Sequence, residues 1–265
     1  MKGRQALKIY FAYTTQYLKT LMTYRIDFIF GLIGFFLLQT CGVVFVTLIF
    51  DSIPQLEGWN FHQVLFIYGL AQIPRGLDHI FTDNLWIYAY WAISQGEMDR
   101  ILLRPINPLF QVIMERFQLD GIGELLIGIV LLVYAAINLA IDFSVIQILL
   151  LILLVISGTL VITSIKLITC SIAFWKKRSG PFVQVAYEFN QFCYYPISIY
   201  NKGIQFFLTF IIPFAITSYY PATWLLGIEG PLNGVIMPLV VAFVFISLSY
   251  SVWKIGLNHY ESAGN

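Results

Sequence analysis

FIFGLIGFFLLQTCGVVFVTLIF, residues 28–50, runs for 23 residues without a charged side chain. A membrane-crossing helix needs about 20 predominantly apolar residues, so this stretch is long enough to span a bilayer. The rest of the chain has the same character. Of its 265 residues, 59% are hydrophobic and only 11% charged, with a mean hydropathy of +0.79. Soluble domains sit near 25% charged, which places this chain among integral membrane proteins. The net charge of +1 says little, because in such proteins the placement of Lys and Arg carries the information.

Working outward, five more spans are expected: Phe61–Ile80, Ile122–Leu139, Val145–Phe174, Pro181–Ser198 and Gly234–Trp253. The expected class is an all-α integral membrane protein with six transmembrane helices, one domain over 1–265. The first 27 residues read as an interfacial helix. Leu7, Tyr10, Phe11, Tyr17, Leu18 and Leu21 recur at helical spacing, and Lys8, Thr15 and Lys19 populate another face. The stretch Gly203–Tyr219 is apolar enough to cross, but Pro213 interrupts it and Pro196 and Pro221 flank it. Such a segment can dip into one leaflet and return where other protein segments shield its backbone.

Charge placement decides between these topologies. Lys2, Arg4, Lys8, Lys19 and Arg25 precede the first span; Arg100, Arg104 and Arg116 lie between the second and third. Lys176, Lys177 and Arg178 follow the fourth, and Lys254 follows the last. The alternate loops at 51–60, 140–144 and 220–233 contain neither Lys nor Arg. A re-entrant 203–219 puts every cluster in the cytoplasm except Lys202, with both termini inside.

On that topology GEMDRILLRPINPLF, residues 96–110, is cytoplasmic. Gly96 ends the preceding helical stretch, whose Trp86, Tyr90 and Trp91 form an interfacial aromatic cluster. Glu97 and Asp99 favour the start of a new helix, and Arg100 and Arg104 lie toward its end. Pro105 and Pro108 stop it, and Asn107-Pro108 starts the next helix as N-cap and first position. Such a short helix, fixed by prolines to the following span, is built to receive force from a partner; an ordinary polar loop is the plainer alternative.

The string Leu102–Phe110, LLRPINPLF, resembles a marker of one bacterial branch of ABC-2 type exporter permeases, the membrane subunits of ABC transporters. The resemblance continues at Asp120-Gly121-Ile122-Gly123, at Tyr195-Pro196-Ile197-Ser198-Ile199, at Phe210–Ala215 and at Ser218-Tyr219-Tyr220-Pro221. Met98 and Arg100 depart from it, standing where a leucine and an aromatic residue are common. The resemblance implies that Gln95–Pro105 is a coupling helix docking on separate ATPase subunits, with ATP and Mg bound there and no cofactor in this chain. It implies re-entrant helices between spans five and six, a second permease subunit, identical or similar, and export from a bacterial cytoplasmic membrane. Tyr195, Pro196, Pro213, Tyr219, Tyr220 and Pro221 become candidates for facing substrate.

No phosphate-binding G-x-x-x-x-G-K-[ST], H-E-x-x-H or G-x-S-x-G occurs. No catalytic or metal-binding residues are expected, and no nucleic-acid motif appears. Cys41, Cys170 and Cys193 lack paired spacing and read as packing residues. Arg75, Asp78, Lys166 and Glu188 are expected intramembrane charges. Arg75 and Asp78, three apart, suit a same-helix pair, while Lys166 can snorkel to the membrane face. Arg75, Asp78 and Glu188 also suit an ion-coupled secondary transporter or channel, the competing reading; a lipid-modifying membrane enzyme lacks an assembled catalytic cluster.

Overall fold

The structure, a computed structural model, describes Thr15, residues 25–118 and residues 120–262. The expected interfacial helix over 1–27 lies almost entirely outside the described residues. Within them the chain is helical and no β-strand occurs. The principal helices are α1 (Arg25–Ser52), α2 (Phe61–Thr82), the short α3 (Glu97–Leu102) and α4 (Pro108–Met114), α5 (Asp120–Asn138) and α6 (Val145–Ser171). They continue with α7 (Gly180–Gln191), α8 (Lys202–Phe206), α9 (Tyr219–Leu225) and α10 (Met237–Asn258).

The starts of α2 and α6 are written in the sequence. Asn60 and Gln63 form a reciprocal capping box, and Ser144 and Gln147 form another. Pro238 sits where a π-helical turn, Leu232–Ile236, passes into α10, a place where the regular backbone ladder already shifts.

Helices α2 and α5 run antiparallel, and their backbones touch. A Cβ on Gly76 would lie 2.7 Å from the Leu125 backbone nitrogen, and one on Gly69 would lie 2.6 Å from that of Leu132. Gly128 and Gly121 face them from the other side. Small residues allow this approach, which in a bilayer substitutes dispersion contact for the missing hydrophobic drive. Gly34 of α1, by contrast, has nothing within 4 Å.

The bundle has two ends. At one, Trp59, Tyr194, Ala222 and Leu225 join Val64–Leu70 of α2 and Ala135 of α5 in a single apolar cluster. At the other, Tyr88, Met98, Ile101, Val112, Phe174 and Trp253 form a second cluster. We call these the Trp59 end and the Arg100 end.

Gly121–Asn138, Val145–Lys176 and Leu232–Asn258 are long and apolar enough to cross a membrane. Lys202–Ile211 and Phe214–Leu225 add a fourth if the pair, bent by 72°, is counted as one. The other expected spans differ for identifiable reasons. Helix α2 has the length but carries Gln63, Gln72, Arg75 and Asp78. Helix α7 stops after 12 residues and continues as 3-10 turns through Pro196. Helix α1, at 28 residues, is long enough to enclose the expected first span, Phe28–Phe50.

Candidate functional site

Three features gather the sequence-derived candidates: the short helix α3, a buried charge network, and a bent segment at the Trp59 end.

Gly96 adopts φ +79°, a left-handed conformation that a side chain would disfavour, and this turns the chain into α3. Glu97 and Asp99 fall in its first turn and Arg100 in its last. Met98 and Ile101 are fully buried, so they anchor α3 to the protein. Leu103, 86% exposed, points away, alongside exposed Gln95, Arg100, Leu102 and Pro105. Arg104 is half-buried.

The element is braced from several sides. Arg100 donates to Glu115 at 3.0 Å and pairs with Glu97 at 3.3 Å. Tyr88 donates to the other Glu115 oxygen at 2.8 Å. Burial, and then the Glu115 carboxylate, push the Tyr88 hydroxyl's pKa upward. Gln111 donates to the carbonyls of Ile101 and Ile106, and Asn107 caps α4 by accepting from the Phe110 N–H. The C-terminal residues cross the same surface. Ser262 donates to Asp99 at 2.6 Å, and the Tyr260 ring meets Phe174 edge-on. Beside them a cavity of about 420 Å³ opens between Ile93, Phe174, Trp175 and Tyr260.

Three of the four charges expected within the membrane, Arg75, Asp78 and Lys166, join a network across four helices. Asp78, fully buried, receives Lys166 at 2.6 Å and hydroxyl donations from Thr163 and Thr82. Lys166 also reaches Asp83 at 3.1 Å. Arg75 pairs with Glu124 of α5 at 3.6 Å and donates to the hydroxyls of Tyr187 and Tyr194. The Tyr187 ring also lies 4.1 Å beneath the guanidinium. The expected Arg75–Asp78 pair therefore gives way to interhelical pairs, and Lys166 does not snorkel: it is 3% exposed and ends on Asp78. Glu188 stands apart, exposed on α7, with Gln184 and Gln191 each donating to it at 2.5 Å.

Sequence reasoning missed Glu124, His79 and Tyr187 as network members. The available signal was Glu124 itself, an acid four residues into an otherwise apolar span. Among the described residues, no group of three His, Cys, Asp or Glu is placed to hold a metal ion.

At the Trp59 end, the indole N–H of Trp59 donates to Ser198 at 2.8 Å, and its ring meets Tyr219 edge-on at 5.9 Å. Between those contacts the chain descends along α8, breaks at Ile212-Pro213 and turns through Phe214–Thr217. The Thr217 backbone closes on Gly158 within α6, and Ser218 donates to the Cys193 carbonyl. Pro196, Pro213 and Pro221 are buried here, whereas Tyr195, Tyr219 and Tyr220 are half-buried.

The sequence profile described as ABC-2 family transporter protein matches residues 36–264. The chain belongs to this ABC-2 family. An ABC-2 permease is a membrane transport component and normally works with ATPase partners, in keeping with the apolar helices found here. Comparison with curated proteins and with solved structures yields no match.

Proposed function

We propose that this ABC-2 permease is the membrane half of an ATP-driven exporter, driven by separate ATPase subunits that dock on residues 95–105. The observation that carries this reading is the two-sidedness of α3. Met98 and Ile101 lock it to the transmembrane helices, while Leu103 and Arg100 are presented outward. A rigidly seated helix with an exposed apolar tip can pass a push from a partner into α4 and α5 without deforming. ATP and Mg²⁺ would bind on the ATPase, with no cofactor in this chain.

The Arg100 end is then cytoplasmic, six spans cross a bacterial plasma membrane, and both termini lie inside. Re-entry of residues 203–219 is supported by Trp59, which contacts the chain just before the segment and again where it finishes. A chain that leaves and returns to one tryptophan stays on one side. Its half-buried tyrosines, Tyr195, Tyr219 and Tyr220, are placed to meet substrate there.

A second permease subunit, identical or similar, is supported by Glu188. An exposed carboxylate against lipid costs about 3 kcal/mol, a cost removed where two subunits enclose a polar path. The competing ion-coupled reading loses support because Arg75 and Asp78 are each tied to partners.

The test is co-expression with candidate ABC ATPase subunits, followed by affinity capture and ATP-dependent uptake of dye panels into inverted vesicles. Leu103→Asp and Arg100→Glu should reduce ATPase capture at least tenfold while leaving the permease folded. Undiminished capture, or transport by the purified permease alone under an ion gradient, would sink the reading.

A further inference from the structure

His79 sits on the last turn of α2, between two carboxylates carried by different parts of the chain. Its Nε2 lies 3.5 Å from Oδ2 of Asp83, and its Nδ1 lies 3.6 Å from Oε2 of Glu124. The other oxygen of each carboxylate already has a permanent cation. Lys166 holds Oδ1 of Asp83, and Arg75 faces Oε1 of Glu124. His79 is therefore the common neighbour of the two oxygens that the permanent cations leave over.

The charge count points the same way. Asp78, Asp83 and Glu124 bring three negative charges, while Arg75 and Lys166 bring two positive ones. A neutral imidazole carries a single N–H and can donate toward only one carboxylate. Its other nitrogen would then turn a lone pair toward the second carboxylate, and the network would keep one excess negative charge. The doubly protonated ring donates in both directions and brings the count to zero. Unbalanced charge is costly away from water, so the two states differ in energy where it matters.

We propose that His79 is a proton-binding site, and that the bound proton locks the junction between α2 and α5 at the Arg100 end. The groups facing it are Arg75, Asp78 and Asp83 from α2 and its cap, Glu124 from α5 and Lys166 from α6, with Tyr187 of α7 behind Arg75. The His79 side chain is 18% exposed, whereas the carboxylate of Glu124, at 4%, is covered. When the proton leaves, Glu124 loses its only bridge to Asp83. The first turn of α5 is then held to α2 by Arg75, by the backbone bond from Gln118 to Ile80 and by the packing of Gly121 on Gly76 and Ile80.

This step lies beyond the transport reading and stands without it, because it concerns the permease alone. Its consequence for transport is direct: α5 is the span that follows the α3–α4 element. A looser α5 would receive less of any push delivered there, making the proton a brake or release on coupling.

The experiment uses the full chain in phosphatidylcholine nanodiscs, without ATPase, over about pH 5 to 9. Imidazole ¹⁵N shifts report the protonation of each histidine; the chain has three, and His62→Gln and His259→Gln assign the third signal. Hydrogen exchange is read in parallel over residues 76–84 and 120–126. Two-nitrogen protonation of His79 is expected at the acid end of the range. Protection factors in both segments, with the base-catalysed intrinsic exchange rate divided out, should fall about tenfold as pH passes through the His79 midpoint. Glu124→Gln should abolish that step while leaving exchange in α10 unchanged.

A His79 signal with one protonation state across the range overturns the proposal. So does a titration with no accompanying exchange step, or a step that survives in His79→Gln. None of these outcomes bears on whether an ATPase docks on α3, which the capture assay reads separately.

Discussion

Trp59 and Ser198, 139 residues apart in the chain, are joined by a 2.8 Å hydrogen bond from indole to hydroxyl. The bond fastens the start of the bent segment to the loop before α2, and the Tyr219 ring fastens its finish. Trp59→Phe removes the donor and should cost about 1 kcal/mol; Trp59→Ala also empties the packing site, for about 3–5 kcal/mol. Thiol labelling reads the result. Cys193 is fully buried and its carbonyl is held by Ser218, so its maleimide reaction should accelerate in Trp59→Ala. Cys170, buried in the cluster at the other end of the bundle, should stay unreactive in both and serves as the control. Unchanged Cys193 labelling would show that the segment is held by other contacts.

Gly76 leaves no room for a methyl group, since its Cβ would stand 2.7 Å from backbone. Gly76→Ala should force α2 and α5 apart and destabilise the protein by about 1–3 kcal/mol despite alanine's better helix propensity. Gly34→Ala, with open space around it, should be neutral or slightly stabilising. Thermal unfolding in detergent compares the two.

Lys166→Met strands Asp78, which is wholly buried. Removing one partner of such a pair costs about 3–5 kcal/mol, whereas replacing both is far milder. The double variant Lys166→Met with Asp78→Asn should therefore unfold at a higher temperature than Lys166→Met alone. An additive loss would mean that Asp78 is stabilised by Thr82 and Thr163 rather than by the lysine.

Glu115→Ala removes the shared acceptor of Arg100 and Tyr88. The Tyr88 hydroxyl is left without that acceptor, at a cost of about 1–3 kcal/mol, and α3 loses its tie to the end of α4. Trypsin should cut after Arg100 several times faster than in the parent protein. Equal cutting rates would show that buried Met98 and Ile101, with Gln111, hold the element without Glu115.

Burial, reinforced by the facing Asp99 carboxylate, pushes the Tyr260 hydroxyl from its ordinary 10.0 up to about 12. The folded state thus holds this proton more tightly than the unfolded one. Its contribution is fully present below pH 10.0 and disappears as pH rises toward about 12. Difference absorbance between wild type and Tyr260→Phe should show one tyrosinate forming in that upper window. Ionisation near 10.0 would place the C-terminal residues away from Asp99.

Much of this was legible in advance because local signals act locally. Gly96, Asn107 and Pro108 impose backbone conformations by their own chemistry, so α3, its end and the start of α4 could be read from single residues. Pro213 marked the break for the same reason. What stayed hidden depends on who stands opposite. Arg75 and Asp78 are three apart on one helix, yet each is claimed by a partner from another helix, Glu124 and Lys166. Gly69, Gly76, Gly121 and Gly128 recur at seven-residue spacing in two separate helices, and only their facing register reveals a seam. The 12-residue length of α7 was obscured because an apolar run does not announce where helix gives way to 3-10 turns.

The glycine seam has a mechanical consequence. Helices in backbone contact have no compressible side-chain layer between them, so α2 and α5 tilt as one stiff rod. Nineteen residues of α5 make a rod of about 28 Å. Pivoting it by ~10° at one tip carries the other roughly 5 Å sideways, about one helical pitch.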